Sequence, residues 1–171
     1  ASGYFANPAS FFGHLLLKFN RDETSTAESL LDPSLSYGAI VPERENGLLY
    51  VTRGLFGGYQ AAFTHESFYQ YDHLYADEQL RDLWEYELDL SPDEVERIVM
   101  QSWELLGSRF DYRFLSRNCA TQMARLLESV VDAPLLEARP WDIPVTIFHR
   151  LASIERNGQP LVRKIRHLPS R

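Results

Sequence analysis

A chain of 171 residues with 44% hydrophobic content is long enough to bury one core, and it holds no repeat or low-complexity tract, so a single domain over 1–171 is expected. Its formal net charge of −7 excludes a general nucleic-acid binder, whose phosphate contacts need clustered Lys and Arg. No apolar run approaches the ~20 residues that span a bilayer; no signal-peptide pattern is present, and Ala1 in place of Met predicts a processed or trimmed piece of a longer protein.

In chain order, Asn7-Pro8-Ala9-Ser10 predicts a turn and Phe11 to Phe19 a buried strand. On a period of two, Phe12, His14, Leu16 and Lys18 share one face and Leu15, Leu17 and Phe19 the other. A polar loop follows to about Ser34. Leu35 to Val41 and Leu48 to Arg53 are expected as two strands, joined at Asn46-Gly47 by a hairpin turn, since both residues tolerate positive φ. Gly54 to Tyr75 is rich in glycine and aromatics, and its second half predicts a short helix. Trp84, Tyr86, Leu88 and Leu90 alternate with Glu85, Glu87 and Asp89, the pattern of a half-buried strand with a solvated acidic face. Ser91-Pro92-Asp93-Glu94 then opens a helix to about Leu106, with Ser91 as N-cap and Glu94 closing a capping box. Gly107 to Arg117 is a connector. A helix begins at Cys119, its stripe formed by Ala120, Met123, Ala124, Leu127 and Val130. A helix from Val145 to Ile154 and a strand from Leu161 to Leu168 complete the chain. Strands followed by helices predict an α+β domain with an antiparallel sheet.

Cys119 is the one cysteine, so no internal disulfide can form. A lone cysteine is most often a small buried hydrophobe. Against that stand its place in the first turn of a helix, where the dipole and free N–H groups favour a thiolate, and the polar residues Ser116, Arg117 and Asn118 before it. A thiolate nucleophile needs a base. His14, inside an apolar strand beside Gly13, is favoured, with His65 in reserve. His149 and His167 fit a surface better, as do the basic residues Arg163, Lys164, Arg166 and Arg171. No cofactor is expected and no metal, since neither HxxxH nor CxxC occurs. Phe56, Tyr59, Phe63, Phe68, Tyr69, Tyr71 and Tyr75 are expected either to wall an apolar groove for an acyl chain or peptide, or to pack the core.

Four blocks, "NPASFFGHLLLKF", "RGLFGGYQAAF", "EQLRDLWEYELDLSPDEVERIV" and "DYRFLSRNCATQMARLLE", resemble the Lnb-type N-terminal periplasmic domain family in content and order, from about Asn7 to Leu127. That family is similar to circularly permuted papain-like (NlpC-type) thiol enzymes, in which the histidine strand precedes the cysteine helix. The resemblance implies Cys119 as nucleophile, His14 as general base and a third polar group on a neighbouring strand, Tyr37 or Ser36, with Tyr37 taken as the catalytic candidate. It adds Asn118 and Ser10 as substrate-binding candidates, beside Phe56 and Tyr59 from the glycine–aromatic segment. The implied reaction is thiolate attack on an ester carbonyl, an acyl-enzyme, and capture by an amine or water. The implied substrate is a lipid acyl ester or a lipoprotein, met in the periplasm, with any membrane surface reached through segments outside this chain.

Two other classes stay open on the sequence. One is a cysteine peptidase or cell-wall amidase with the same dyad in a polar cleft. The other is a non-catalytic binding module, in which Cys119 would be buried far from His14.

Overall fold

The structure is a computed structural model that describes residues 13–20, 31–42, 45–72, 82–136 and 141–169. The main sheet is antiparallel, in the order β1 (Leu17–Lys18), β2 (Pro33–Ile40), β3 (Tyr59–Ser67), β5 (Phe110–Tyr112). Register runs Leu17 opposite Leu35, Tyr37 opposite Phe63 and Tyr59 opposite Tyr112. Tyr37, Phe63, Phe110 and Tyr112 therefore share one face. Their rings make one aromatic cluster, with the Tyr37 centroid 4.9 Å from Phe63 and 6.1 Å from Tyr112.

A second, two-stranded sheet pairs β4 (Leu83–Leu88) with β8 (Val162–Leu168), and β6 (Glu155–Arg156) with β7 (Gln159–Pro160) forms a hairpin. The helices are α1 (Gly47–Phe56), α2 (Phe68–Asp72), α3 (Pro92–Leu105), α4 (Cys119–Glu128) and α5 (Pro144–Ser153). Helix α4 is central. It packs on β2, α3 and α5 and buries Cys119, Ala120, Thr121, Met123, Ala124, Leu126 and Leu127. Burying each large apolar chain contributes about 1.5–3 kcal/mol, so this helix is a principal source of stability and its first residue is held firmly.

The α+β class and the antiparallel pairing agree with the sequence pattern. Helix α3 begins as expected: Ser91 accepts from the Glu94 N–H, and the Glu94 carboxylate accepts from the Ser91 N–H at 2.8 Å.

Four expectations are corrected. Leu48 to Arg53 is helix, because Asn46 turns its Oδ1 onto the Leu48 N–H at 2.8 Å and caps α1; Asn-Gly serves here as a helix start instead of a hairpin turn. Tyr59–Ser67 is a full strand, leaving only Phe68–Asp72 helical, and the connector after Gly107 contains β5. Of the strand expected over Phe11–Phe19, only Leu17–Lys18 pairs, while Phe11 and Phe12 lie outside the described residues.

Candidate active site

The chain enters the site through Gly13, whose φ of 83° belongs to the left-handed region that glycine adopts without a Cβ penalty. The next residue is His14. Its Nε2 lies 2.8 Å from Ser36 Oγ on β2. The imidazole also stands beside the thiol of Cys119, at the N-terminus of α4, close enough to act on its charge, as do the backbone N–H groups of Leu15 and Ala120.

Burial raises the pKa of a thiol. At Cys119 that rise is outweighed by the electrostatic influence of the neighbouring His14 imidazole and of the Leu15 and Ala120 backbone N–H groups, so the thiol titrates below its ordinary value. These are the influences that favour a thiolate. Cys119 is free and buried, as a binding module with an inert thiol would have it, but His14 stands close enough to lower its pKa, where such a module would hold the two apart.

Asn118 fixes the helix start. Its Oδ1 accepts from the Thr121 N–H at 3.0 Å and from Thr121 Oγ1 at 3.2 Å, and its Nδ2 donates to the carbonyls of Phe114 and Asp142 at 2.8 and 2.7 Å. Both ends of the amide are occupied and the residue is buried. This corrects the substrate-binding role expected of Asn118: it caps α4 and aims Cys119.

Tyr37 is also placed differently from expectation. Adjacent strand residues point to opposite faces, so when Ser36 meets His14 the Tyr37 ring goes into the aromatic cluster. Its hydroxyl is buried with no hydrogen bond. Burial pushes its pKa up to about 12; Gln122 lies close enough to pull the other way without reaching hydrogen-bonding geometry. Of the remaining candidates, Phe56 ends α1 with its ring in solvent, and Tyr59 is buried with its hydroxyl donated to Glu45, so neither meets the dyad. His65 is exposed on β3, His149 is exposed on α5, and His167 pairs with Asp82 at 3.1 Å. Ser10, His73, Tyr75 and Arg171 lie outside the described residues.

A cavity of 370 Å³ opens on the His14 side, lined by His14, Leu15, Phe68, Tyr86, Ile98 and Phe148 among others. That volume is within the roughly 300–1,000 Å³ of small-molecule pockets. Cys119 does not line it, whereas His14 and Leu15, which act on the thiol, do. The apolar groove expected from Phe56–Tyr75 is thus built mainly by β1, β4, α3 and α5, with Phe68 its one described contributor from that segment. At one side Glu85 accepts from Lys18 Nζ at 3.0 Å and stands 3.2 Å from Arg166 Nε. Glu85 is therefore a half-buried ion-pair partner, not part of a fully solvated face. Sequence reasoning missed this cavity because its walls come from segments far apart in the chain. Among the described residues no group of His, Cys, Asp or Glu could hold a metal ion.

No described helix is long and apolar enough to cross a membrane. No curated protein and no solved structure matches the chain. A family model described as the Lnb N-terminal periplasmic domain matches residues 1–153. The chain belongs to that periplasmic domain family.

Proposed function

We propose that this domain is a thiol acyltransferase or acyl hydrolase, working through Cys119 and His14 on lipid or lipoprotein acyl esters, in an arrangement related to permuted papain-like enzymes. One arrangement carries the proposal: the imidazole that stands beside the thiol of Cys119 is held by the hydroxyl of Ser36, the order of nucleophile, base and orienting group that covalent catalysis requires.

In the proposed reaction the Cys119 thiolate attacks the ester carbonyl carbon. The C–S bond forms as the C–O bond breaks, and the departing alkoxide takes its proton from the His14 imidazolium. An amine or water, deprotonated by the now neutral imidazole, then attacks the thioester and releases the thiolate. Ser36 keeps the ring in register through both halves. In the first turn of α4 the Thr121 N–H is taken by Asn118, while the Ala120 N–H lies toward the sulfur whose pKa it lowers. The N–H of Cys119 itself is the donor left for the developing oxyanion.

The mainly apolar cavity ending at His14 favours an acyl chain over the peptide of an amidase. Intact-mass spectrometry after incubation with p-nitrophenyl butyrate, octanoate and palmitate tests the proposal. The expected result is one acyl adduct that disappears in Cys119→Ala and is much reduced in His14→Ala. An absence of adduct and of ester turnover with every chain length, alongside cleavage of a peptide amide, would move the domain to the amidase class.

A further inference from the structure

Helix α1 presents its apolar side to solvent. Toward the domain it turns Tyr50, half-buried, and Gly54, buried. A Cβ on Gly54 would stand 2.1 Å from the Phe114 ring, so the helix backbone is pressed against that ring. Leu48, Leu49, Leu55 and Phe56, spaced i, i+1, i+7 and i+8, share the opposite side. All four are exposed, Leu48 by 74% and Phe56 by 78%. The one hydroxyl among them is turned back: Thr52 Oγ1 donates to Leu48 O at 2.9 Å.

Charge on and around this face is equally unusual. A chain with 24 Asp and Glu has none in the ten residues of α1. Two arginines flank its C-terminal end. Arg53 pairs with Glu45 and keeps 47% of its side chain exposed. Arg113 is exposed, lies against Gly57, and has no carboxylate partner among the described residues.

We propose that α1 is an interfacial helix that seats this domain on an anionic lipid bilayer. Leu48, Leu49, Leu55 and Phe56 would enter the boundary between headgroups and acyl chains, while Arg53 and Arg113 reach lipid phosphates. A bilayer fits this face better than a protein groove does. The stripe is convex and lacks side-chain hydrogen-bond donors to fix a partner's register, which a fluid surface does not need. A protein of net charge −7 is repelled by an anionic membrane over most of its surface, and α1 is a helix free of carboxylates with cations at its edge. The opposite, inward side of α1 reaches toward the candidate site: Phe114 N–H donates to Gly54 O at 2.7 Å, and Phe114 O accepts from Asn118, the cap of α4. Docking itself does not depend on the thiol chemistry.

Sedimentation with vesicles of phosphatidylcholine, alone or mixed equally with phosphatidylglycerol, tests the proposal at low ionic strength. The domain should pellet with the anionic vesicles and bind the neutral ones less. Binding should fall at least about tenfold in the Leu48→Ser, Phe56→Ser double variant and stay unchanged in Cys119→Ala. Phe56→Trp should gain a blue-shifted emission over wild type when anionic vesicles are added, a readout that does not depend on the double variant's folding. Wild-type protein left in the supernatant with both vesicle types would overturn the proposal. So would a concentration-dependent dimer that the double variant abolishes, since the face would then pair with a second copy.

Discussion

His14 Nε2 and Ser36 Oγ stand 2.8 Å apart, so the side chain of β2 that meets the imidazole is that of Ser36, the residue beside Tyr37. Ser36→Ala frees the imidazole to rotate away from Cys119 and should lower the rate of acyl-adduct formation about 10–100-fold at fixed pH. Tyr37→Phe should leave that rate unchanged. Removing a buried hydroxyl that has no partner should also leave stability the same or raise it by up to about 1 kcal/mol. Adduct kinetics and thermal melts of both variants check this.

Asn118 uses its acceptor on Thr121 and its donor on two carbonyls. Asn118→Asp keeps the cap oxygen and loses both donations, leaving the carbonyls of Phe114 and Asp142 facing a carboxylate. It should therefore destabilise as much as Asn118→Ala or more, on the order of 2–3 kcal/mol for either. Urea unfolding measures it. An aspartate as stable as wild type would mean that only the helix cap matters.

Glu94 ties the start of α3 to the β6–β7 hairpin: Arg156 Nη1 lies 3.2 Å from its carboxylate. Arg156, opposed by burial and helped by Ser91, holds the Glu94 pKa down to about 2 from an ordinary 4.5. A folded-state pKa below the unfolded one gives stability that is fully present above about pH 4.5 and lost as pH falls toward 2. Allowing for the exposure of Arg156, the contribution is about 1–2 kcal/mol. Glu94→Gln should be less stable at neutral pH and show a flatter loss of stability over that acid range.

Gly54 has no room for a methyl group against Phe114. Gly54→Ala must displace a buried ring whose own backbone meets both α1 and the Asn118 cap. A cost of about 1–3 kcal/mol is expected, although the same exchange in an exposed helix interior stabilises. Thermal melts read the sign directly.

Much of the fold was legible where one local signal sufficed. The capping box at Ser91 and Glu94 marked α3, alternation marked β4, and the apolar stripe after Cys119 marked α4. Asn46-Gly47 misled because the same pair serves a hairpin turn or a helix start, and the apolar run Leu48–Val51 has no period that separates the two. The pairing of His14 with Cys119 came from family likeness, since 105 residues of chain separate positions 14 and 119. The choice of Ser36 over Tyr37 needed the register of β2, which no local pattern gives. The inverted face of α1 was hidden by taking that segment as a strand, in which every second apolar side chain would have turned inward.

Cys119 is the one thiol of the chain, so its alkylation reports on a single site. The pH dependence of iodoacetamide reaction with native protein and with His14→Ala is the most direct test of the account. The account predicts an apparent pKa below the ~8.5 of an ordinary thiol, rising when His14 is removed. A slow thiol with an ordinary pKa in both proteins would contradict it and leave Cys119 a core residue.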